Sequence, residues 1–544
     1  MNNILKSTIL KYKGAFFLFI FFNICISAIS LISPYLIGAY IDILTTKISE
    51  KSIYIFLIIY ILLNFSNVIF SYIQNMISLK LKAKMSFEII NKLVEHLNDI
   101  PLKLLQKYDP VYMSQRISSD SNNITEFIIS EIYKITISII NFIVISLFLI
   151  KLDYTLFFVL AISIVLYIIF YLIFKNKINK RSLQYFNSQN LYSSALNEPF
   201  KFCKTVKINS VQEIFSLRMS NVFQSFLESL HKYGKISYIY SGLKDSSEAI
   251  FTAMLLCICG LKVLNKAMTV GEITIIINYF SMTMGSLGYI LGFGKVYEEY
   301  KVCLSRLREL ISIDKEKYGS KKLDVIDEVS LKNIVYSECS DVIINNFSYS
   351  FKKGNIYTLL GNNGCGKSTL LYIITRVISN NEGNIYFNKI NEKDINAKYL
   401  RKKNIAFLEQ EPVLINDTFY NNMINNSVED KLLNYYIDLF DLQKCFDKFE
   451  NGIHTVLSEN SDNISGGEKQ KIGLVRTLIK DTDIIILDEP TSALDKKSTE
   501  NLKIYLNAVK KNKIIIIVTH DNTMIDISDF VLNFDECIVD SKTT

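Results

Sequence analysis

Gly361-Asn362-Asn363-Gly364-Cys365-Gly366-Lys367-Ser368-Thr369 stands between two apolar runs, Ile356-Tyr357-Thr358-Leu359-Leu360 before it and Leu370-Leu371-Tyr372-Ile373-Ile374 after it. The spacing G-x-x-x-x-G-K-[ST] predicts a strand, a glycine-rich turn and the start of a helix. Glycines bring backbone N–H groups up to an anion with no Cβ in the way. A helix that begins there adds its positive end. Lys367 has the reach for β- and γ-phosphates, and the Ser368 hydroxyl is placed to ligate Mg²⁺. The bland alternative is an ordinary glycine-rich turn, so the residues downstream decide.

Those residues supply five further segments. Gln410 lies in Phe407-Leu408-Glu409-Gln410-Glu411-Pro412, just past a short apolar strand. Ile464-Ser465-Gly466-Gly467-Glu468-Lys469-Gln470 reads as a turn that opens a helix, a second anion-binding helix start. Ile484-Ile485-Ile486-Leu487-Asp488-Glu489 is a buried strand with two carboxylates at its end, one suited to hold Mg²⁺ and one to polarise water. Ser492-Ala493-Leu494-Asp495 follows, and Ile514–Val518 is a strand ending in Thr519-His520-Asp521. Singly, each has a dull explanation: a helix start, a turn, a structural histidine. Their order within one domain carries the reading.

The rest of the chain is of a different kind. At 544 residues it is too long for one core, and 49% hydrophobic residues beside 21% charged ones must be segregated. Residues 15–37 form an apolar stretch long enough to span a bilayer and too long for a signal-peptide core. Further spans are read at Ile53–Ile73, Ile128–Ile150, Tyr154–Phe174, Ala249–Leu264 and Ile273–Phe293, the fifth being short. Lys151-Leu152-Asp153 leaves room only for a hairpin between the third and fourth.

Residues 76–126 and 175–244 are long, polar and rich in Lys and Arg, and few Pro or Gly interrupt them. They read as cytoplasmic, helical extensions of the spans, with both termini on the same side. The net charge of +7 is spread in short groups, without the basic patch that nucleic acid needs, and suits loops facing an anionic leaflet. The nine cysteines show no zinc-ligand spacing and read as reduced thiols, with Cys365 reactive if exposed and otherwise a passive loop residue. Glu131 and Lys134 read as a self-compensating i,i+3 pair in preference to a substrate contact. The sixth span holds Asn278, Ser281, Thr283, Ser286 and glycines 285, 288, 292 and 294, which either line a polar path or permit close packing.

With these residues in place, the sequence resembles the ATP-binding cassette (ABC) family in its exporter form, a membrane domain fused ahead of the cassette. The resemblance implies an all-α six-span transmembrane domain at 1–312, a linker at 313–327 and an α/β P-loop nucleotide-binding domain at 328–544. It identifies Gly361–Thr369 as the Walker A loop, Gln410 as the Q-loop glutamine and Ser465-Gly466-Gly467-Glu468 as the signature. It makes Asp488 the Walker B aspartate, Glu489 the general base, Ser492–Asp495 the D-loop and His520 the switch histidine. ATP is then held by Gly361–Thr369, by Ser465–Glu468 and by Asp495, and Mg²⁺ by Ser368, Gln410 and Asp488.

More weakly, Met113–Asp120 resembles the segment after the first coupling helix, Thr269–Glu272 the start of the sixth span, and Ser305-Arg306-Leu307 its exit helix. Ile464 and Glu468 depart conservatively from the usual signature. Tyr336 is the candidate for stacking on adenine by a gapless count, with Glu338 taking that place if Asn333-Ile334 sets the alignment. The sequence ahead of the first span leads us to expect no leader-peptidase module.

The family working unit implies a dimer of this chain with itself or a homologous half-transporter, closing over two ATP. A soluble cassette protein would not need six spans, whereas a cassette-gated channel or sensor would look the same. Export of a hydrophobic or amphipathic substrate (a peptide, lipid or drug-like molecule) is the expectation by family analogy. Abundant Ile, Asn and Lys with no Trp suggests an AT-rich bacterial genome, and so a multi-pass protein of the bacterial plasma membrane with its cassette cytoplasmic.

Overall fold

The computed structural model describes residues 1–46, 50–108, 110–338, 341–362, 364–424, 429–457 and 464–534. Among these, six helices are long and apolar enough to cross a membrane: Lys13–Thr45, Ile53–Leu97, Met113–Leu152, Tyr154–Phe200, Gln212–Leu264 and Val270–Ser312. The protein is a multi-pass membrane protein. Each helix outruns its apolar stretch, because the polar sequence beyond lacks the breakers that would end it. Ala249–Leu264, short by itself, is the far end of a helix of 53 residues. Ile58, Ile61, Leu62, Phe65 and Val68 lie exposed along the second span, a face suited to lipid.

The chain packs as two compact units, 1–98 with 109–313 and 99–108 with 314–544. The excursion at 99–108 has a polar cause. Asp99 accepts from Lys315 at 2.9 Å and from Lys398, and its carbonyl takes the Glu316 N–H at 2.7 Å. Arg401 then holds Glu316 at 2.7 Å, so 99–108 and the start of 314–544 are fastened to one patch of the second unit.

In the first unit, two segments far apart in sequence are joined. Arg306 pairs with the buried Asp120 at 2.6 Å, and Arg116 with Glu309 at 2.9 Å, which binds Met113–Asp120 to the end of the sixth helix. The start of that helix carries a full capping box between Thr269 and Glu272. Asp42 of the first span accepts from the Thr269 hydroxyl and the Gly271 N–H, both at 2.7 Å. A Cβ on Gly271 would stand 2.0 Å from the Gly38 carbonyl oxygen, so this crossing depends on two glycines. The small residues of the sixth span differ in their surroundings. Gly288 packs against the Tyr167 hydroxyl, 2.7 Å from an ideal Cβ, while Gly285 faces open space.

The second unit is two sheets. Strands β1 (Glu328–Glu338), β2 (Asp341–Lys352), β4 (Glu382–Phe387) and β5 (Ile390–Asn391) form an antiparallel sheet in the order β2-β1-β4-β5. Strands β3 (Ile356–Leu360), β6 (Ile405–Leu408), β7 (Ile484–Asp488), β8 (Ile514–Val518) and β9 (Phe530–Asn533) form a parallel sheet in the order β6-β7-β8-β3-β9. Every residue of β7 and β8 is buried, as the unbroken isoleucine runs require of parallel strands covered on both faces. The carboxyl ends of such strands are where an open α/β sheet offers its ligand crevice.

Candidate functional site

Strands β3, β6, β7 and β8 carry Gly361–Thr369, Gln410, Asp488-Glu489 and His520 at their carboxyl ends, whereas Ser465–Glu468 opens a helix. Past β3 the chain turns through Gly361, Gly364 and Gly366, with φ of 150°, 86° and 99°. At Gly366 a Cβ would also come within 2.9 Å of the Ile343 side chain, so a side chain is barred there by both angle and space. Lys367, buried, opens the helix Lys367–Ile374 and curls back over the loop. Its ammonium donates to the carbonyls of Gly361 at 2.6 Å and Asn362 at 2.9 Å, and lies 3.8 Å from the Cys365 thiol. Thr369 follows Ser368 in the first turn and is half-buried. Asn363 lies outside the described residues.

Ser368 donates to Asp488 across the sheet at 2.9 Å. Burial lifts the Asp488 carboxyl above its ordinary range, against the pull of the Ser368 hydroxyl, and the neighbouring Glu489 lifts it further. A divalent cation would reverse that balance. The donor set fits Mg²⁺: one hydroxyl and one carboxylate oxygen, with no cluster of three His, Cys, Asp or Glu among the described residues. A metal that keeps waters and phosphate oxygens in its shell needs no more from the protein.

Glu489 follows β7 in a left-handed backbone conformation, φ 47°, which a non-glycine residue adopts at a cost. It is pinned there from two sides. Its N–H donates to the Val518 carbonyl of β8 at 2.8 Å, and its own carbonyl accepts from Gln470 at 3.3 Å. The side chain is thereby turned to Gln410, whose amide donates to Oε2 at 2.9 Å. His520 is exposed just past β8.

Ser465 caps the helix Gly466–Leu478 in a capping box with Glu468, its hydroxyl accepting the Glu468 N–H at 3.3 Å while Glu468 accepts the Ser465 N–H at 2.9 Å. Against the burial that would raise it, Lys448 and the Ser465 donors hold the Glu468 carboxyl down at about 2. Asp495 caps Lys496–Val509 through Ser498, and Lys471 at 2.6 Å is the main reason its carboxyl sits at about 2. Both carboxylates are engaged in holding helix starts.

Tyr336 requires a correction. It is 3% exposed, set among the core side chains of β1 and β2. Lys103 covers it, with the ammonium 5.0 Å from the ring centre and 3.4 Å from the hydroxyl. Alternation along β1 turns Ile334 and Tyr336 inward and leaves Glu338 exposed at the strand's end. The ring is a core side chain and offers no open stacking face.

Gln470, Lys471 and Lys448 were not singled out by the sequence reading. Helical spacing holds the clue for the first, because Gln470 lies three residues past Gly467 on the same face of its helix. A Cβ on Gly467 would stand 2.6 Å from the Ala493 carbonyl, whereas one on Gly466 meets nothing within 4 Å. Gly467→Ala is therefore expected to destabilise the cassette by about 1–3 kcal/mol through backbone that cannot yield. Gly466→Ala, by contrast, leaves the melting temperature in place. Thermal unfolding of both in detergent checks the pair, and equal melting would remove the close approach.

The comparisons agree with this architecture. The family model for the ABC transporter transmembrane region matches residues 16–287, and that for the ABC transporter matches 344–492. An ATP-dependent lipid A-core flippase of Pasteurella multocida is 29% identical over 279 residues, 50% of this chain and 47% of that one. The pediocin PA-1 transport/processing ATP-binding protein PedD of Pediococcus acidilactici is 24% identical over 86% of this chain and 66% of its own length. This chain thus spans about half of the first relative and about two thirds of the second. The solved structure of a bacterial Atm1-family ABC exporter with ATP bound superposes with a TM-score of 0.81 at 18% identity, covering 98% of this chain and 94% of that one. With both halves matched, the chain belongs to the ABC transporter family, with a transmembrane region and a nucleotide-binding domain in one polypeptide.

Proposed function

We propose that two copies of this chain, or one copy with a homologous half-transporter, close over two ATP and drive a hydrophobic or amphipathic substrate out across the bacterial plasma membrane. The supporting observation is the juxtaposition at the sheet edge. Ser368 lies 2.9 Å from Asp488, and Glu489, one residue on, is turned to Gln410. In this reading Gly361–Thr369 cradle the phosphates, Lys367 swings from its loop carbonyls to the β/γ-phosphates, and Ser368, Gln410 and Asp488 hold Mg²⁺. When bound, that ion neutralises charge on the phosphate oxygens.

Glu489 takes the proton of the attacking water, with Gln410 orienting its carboxylate and His520 reaching the γ-phosphate. Ser465, Gly466 and Gly467 of the opposite cassette present the N–H groups of a helix start to the same phosphate. Because Glu468 and Asp495 are spent on caps, they shape that surface and leave the direct contact to the backbone. ATP held between the cassettes favours one membrane conformation, and hydrolysis releases it.

Relatives of similar distance carry the names of a lipid A-core flippase and of a pediocin PA-1 transport/processing protein, which supports an amphipathic cargo. The test is ATP-dependent accumulation in inverted vesicles, with a panel of lipids, peptides and drugs, and Glu489→Gln as the blank. Accumulation of one class, absent from the blank, is the expected result. ATP turnover with no compound accumulated would replace pumping by gating.

A further inference from the structure

Between the third and sixth spanning helices lies a cleft of about 320 Å³, at the small end of the range for ligand sites. The third helix lines it with Tyr133, Lys134, Ile137 and Ser138, and the sixth with Met282, Gly285, Ser286 and Tyr289. The two sets have the spacing of single helix faces turned to each other. Immediately before the first set the third helix contains a π-helical turn, Phe127–Glu131, a feature that shifts the register of the face beyond it and recurs at functional sites.

The charges in this wall are not used symmetrically. Glu131 accepts from Lys134 at 2.8 Å and from the Tyr289 hydroxyl, and its side chain is only 13% exposed. Lys134 is 51% exposed and lines the cleft, with one of its three N–H donors given to Glu131. The carboxylate is thus answered inside the wall, and the cation is what the cleft meets. No carboxylate is among the lining residues, whereas Ser138 and Ser286 add hydroxyls and Ile137 and Met282 add apolar surface. Over Gly285 the space is open, since a Cβ there meets nothing within 4 Å.

Resting on the export reading above, we infer that this cleft binds the anionic head, carboxylate or phosphate, of a single-chain amphiphile, with Lys134 as its counter-ion and the space over Gly285 taking the first part of its tail. The i,i+3 pair is then more than self-compensation. Glu131 and Tyr289 position the lysine, and the ligand completes its charge-assisted bonds.

The chain has no tryptophan, so one placed by Phe293→Trp, a helical turn from Tyr289, reports binding by energy transfer to a dansyl group without background. The full-length protein, nucleotide-free and in a neutral detergent, is titrated with a dansyl-labelled fatty acid and with its methyl ester. The acid is expected to bind about tenfold more tightly than the ester. Lys134→Met is expected to erase that preference, Lys134→Arg to restore it, and Gly285→Leu to weaken acid and ester alike by filling the space. Competition by unlabelled fatty acid or by lysophosphatidic acid then tells which head is held. Equal binding of acid and ester, a preference that survives Lys134→Met, or displacement by neither competitor would overturn the site. The export reading fails separately: an intact acid preference with no ATP-driven accumulation in vesicles overturns pumping alone, and accumulation without the preference overturns the cleft alone.

Discussion

Glu489→Gln binds ATP as tightly as the unaltered chain and hydrolyses it at least about a hundredfold more slowly: that is the expected result if Glu489 is the general base. The substitution suits the site because it changes almost nothing else. Glutamine has the shape of glutamate, the backbone at φ 47° remains pinned by Val518 and Gln470, and the Gln410 amide keeps an oxygen to donate to. Asp488 and Ser368, two of the three residues assigned to the metal, are untouched. What disappears is the carboxylate's capacity to accept a proton from water. Had Glu489 only a structural task, an isosteric amide would do it nearly as well and turnover would hardly move. Phosphate release measured beside binding of a fluorescent ATP analogue separates the two, and retained hydrolysis in Glu489→Gln would remove the assignment.

The cassette was legible in the sequence to an unusual depth, and the reasons are physical. Its phosphate loop needs glycines at fixed places, such as Gly366 with its φ of 99°, and its central strands are buried on both faces, so Ile484–Leu487 and Ile514–Val518 spell themselves as apolar runs. Contacts made by side chains across the fold left a fainter trace. Tyr336 was placed against adenine by counting from the loop, but strand alternation, which the count ignores, turns it inward. The resemblance names Glu468 and Asp495 as ligand contacts, and the structure adds that each takes part in a helix cap with a residue three positions away, a pattern also present in the local sequence.

The membrane half shows the opposite limit. Apolar length found all six spans, while the pairing of Asp120 with Arg306 and the excursion of 99–108 into the second unit depend on partners about two hundred residues or more away, which no local pattern encodes. Glu131 and Lys134 were legible as a pair. The third member, Tyr289, was not, because it arrives from another helix.

Lys367→Met carries the other large effect. In this structure the ammonium is held by two carbonyls of its own loop, at 2.6 and 2.9 Å, and is almost fully buried. Those bonds keep the cation poised over the loop, and the same donors are the ones a β/γ-phosphate would take over. Charge-assisted bonds of this kind contribute about 1.5–3 kcal/mol, which sets an expected loss of roughly tenfold to more than a hundredfold in ATP affinity. Methionine keeps much of the length and apolar bulk of lysine, so the pocket is filled and only the charge and its donors are lost. The two roles of the lysine can be read apart. Loss of the loop bonds lowers the melting temperature without nucleotide, whereas loss of the phosphate contact removes the rise in melting temperature that ATP gives by mass action. AMP has no β- or γ-phosphate for Lys367 to reach, so any affinity for it is expected to change little. Glu489→Gln in the same assay keeps the full ATP-induced rise. If Lys367→Met kept it too, the loop would be a glycine-rich turn and the phosphate site would have to lie elsewhere on the sheet edge. If it loses the rise for ATP while AMP binding stands, the cation is acting on the outer phosphates, the γ-phosphate that hydrolysis releases among them.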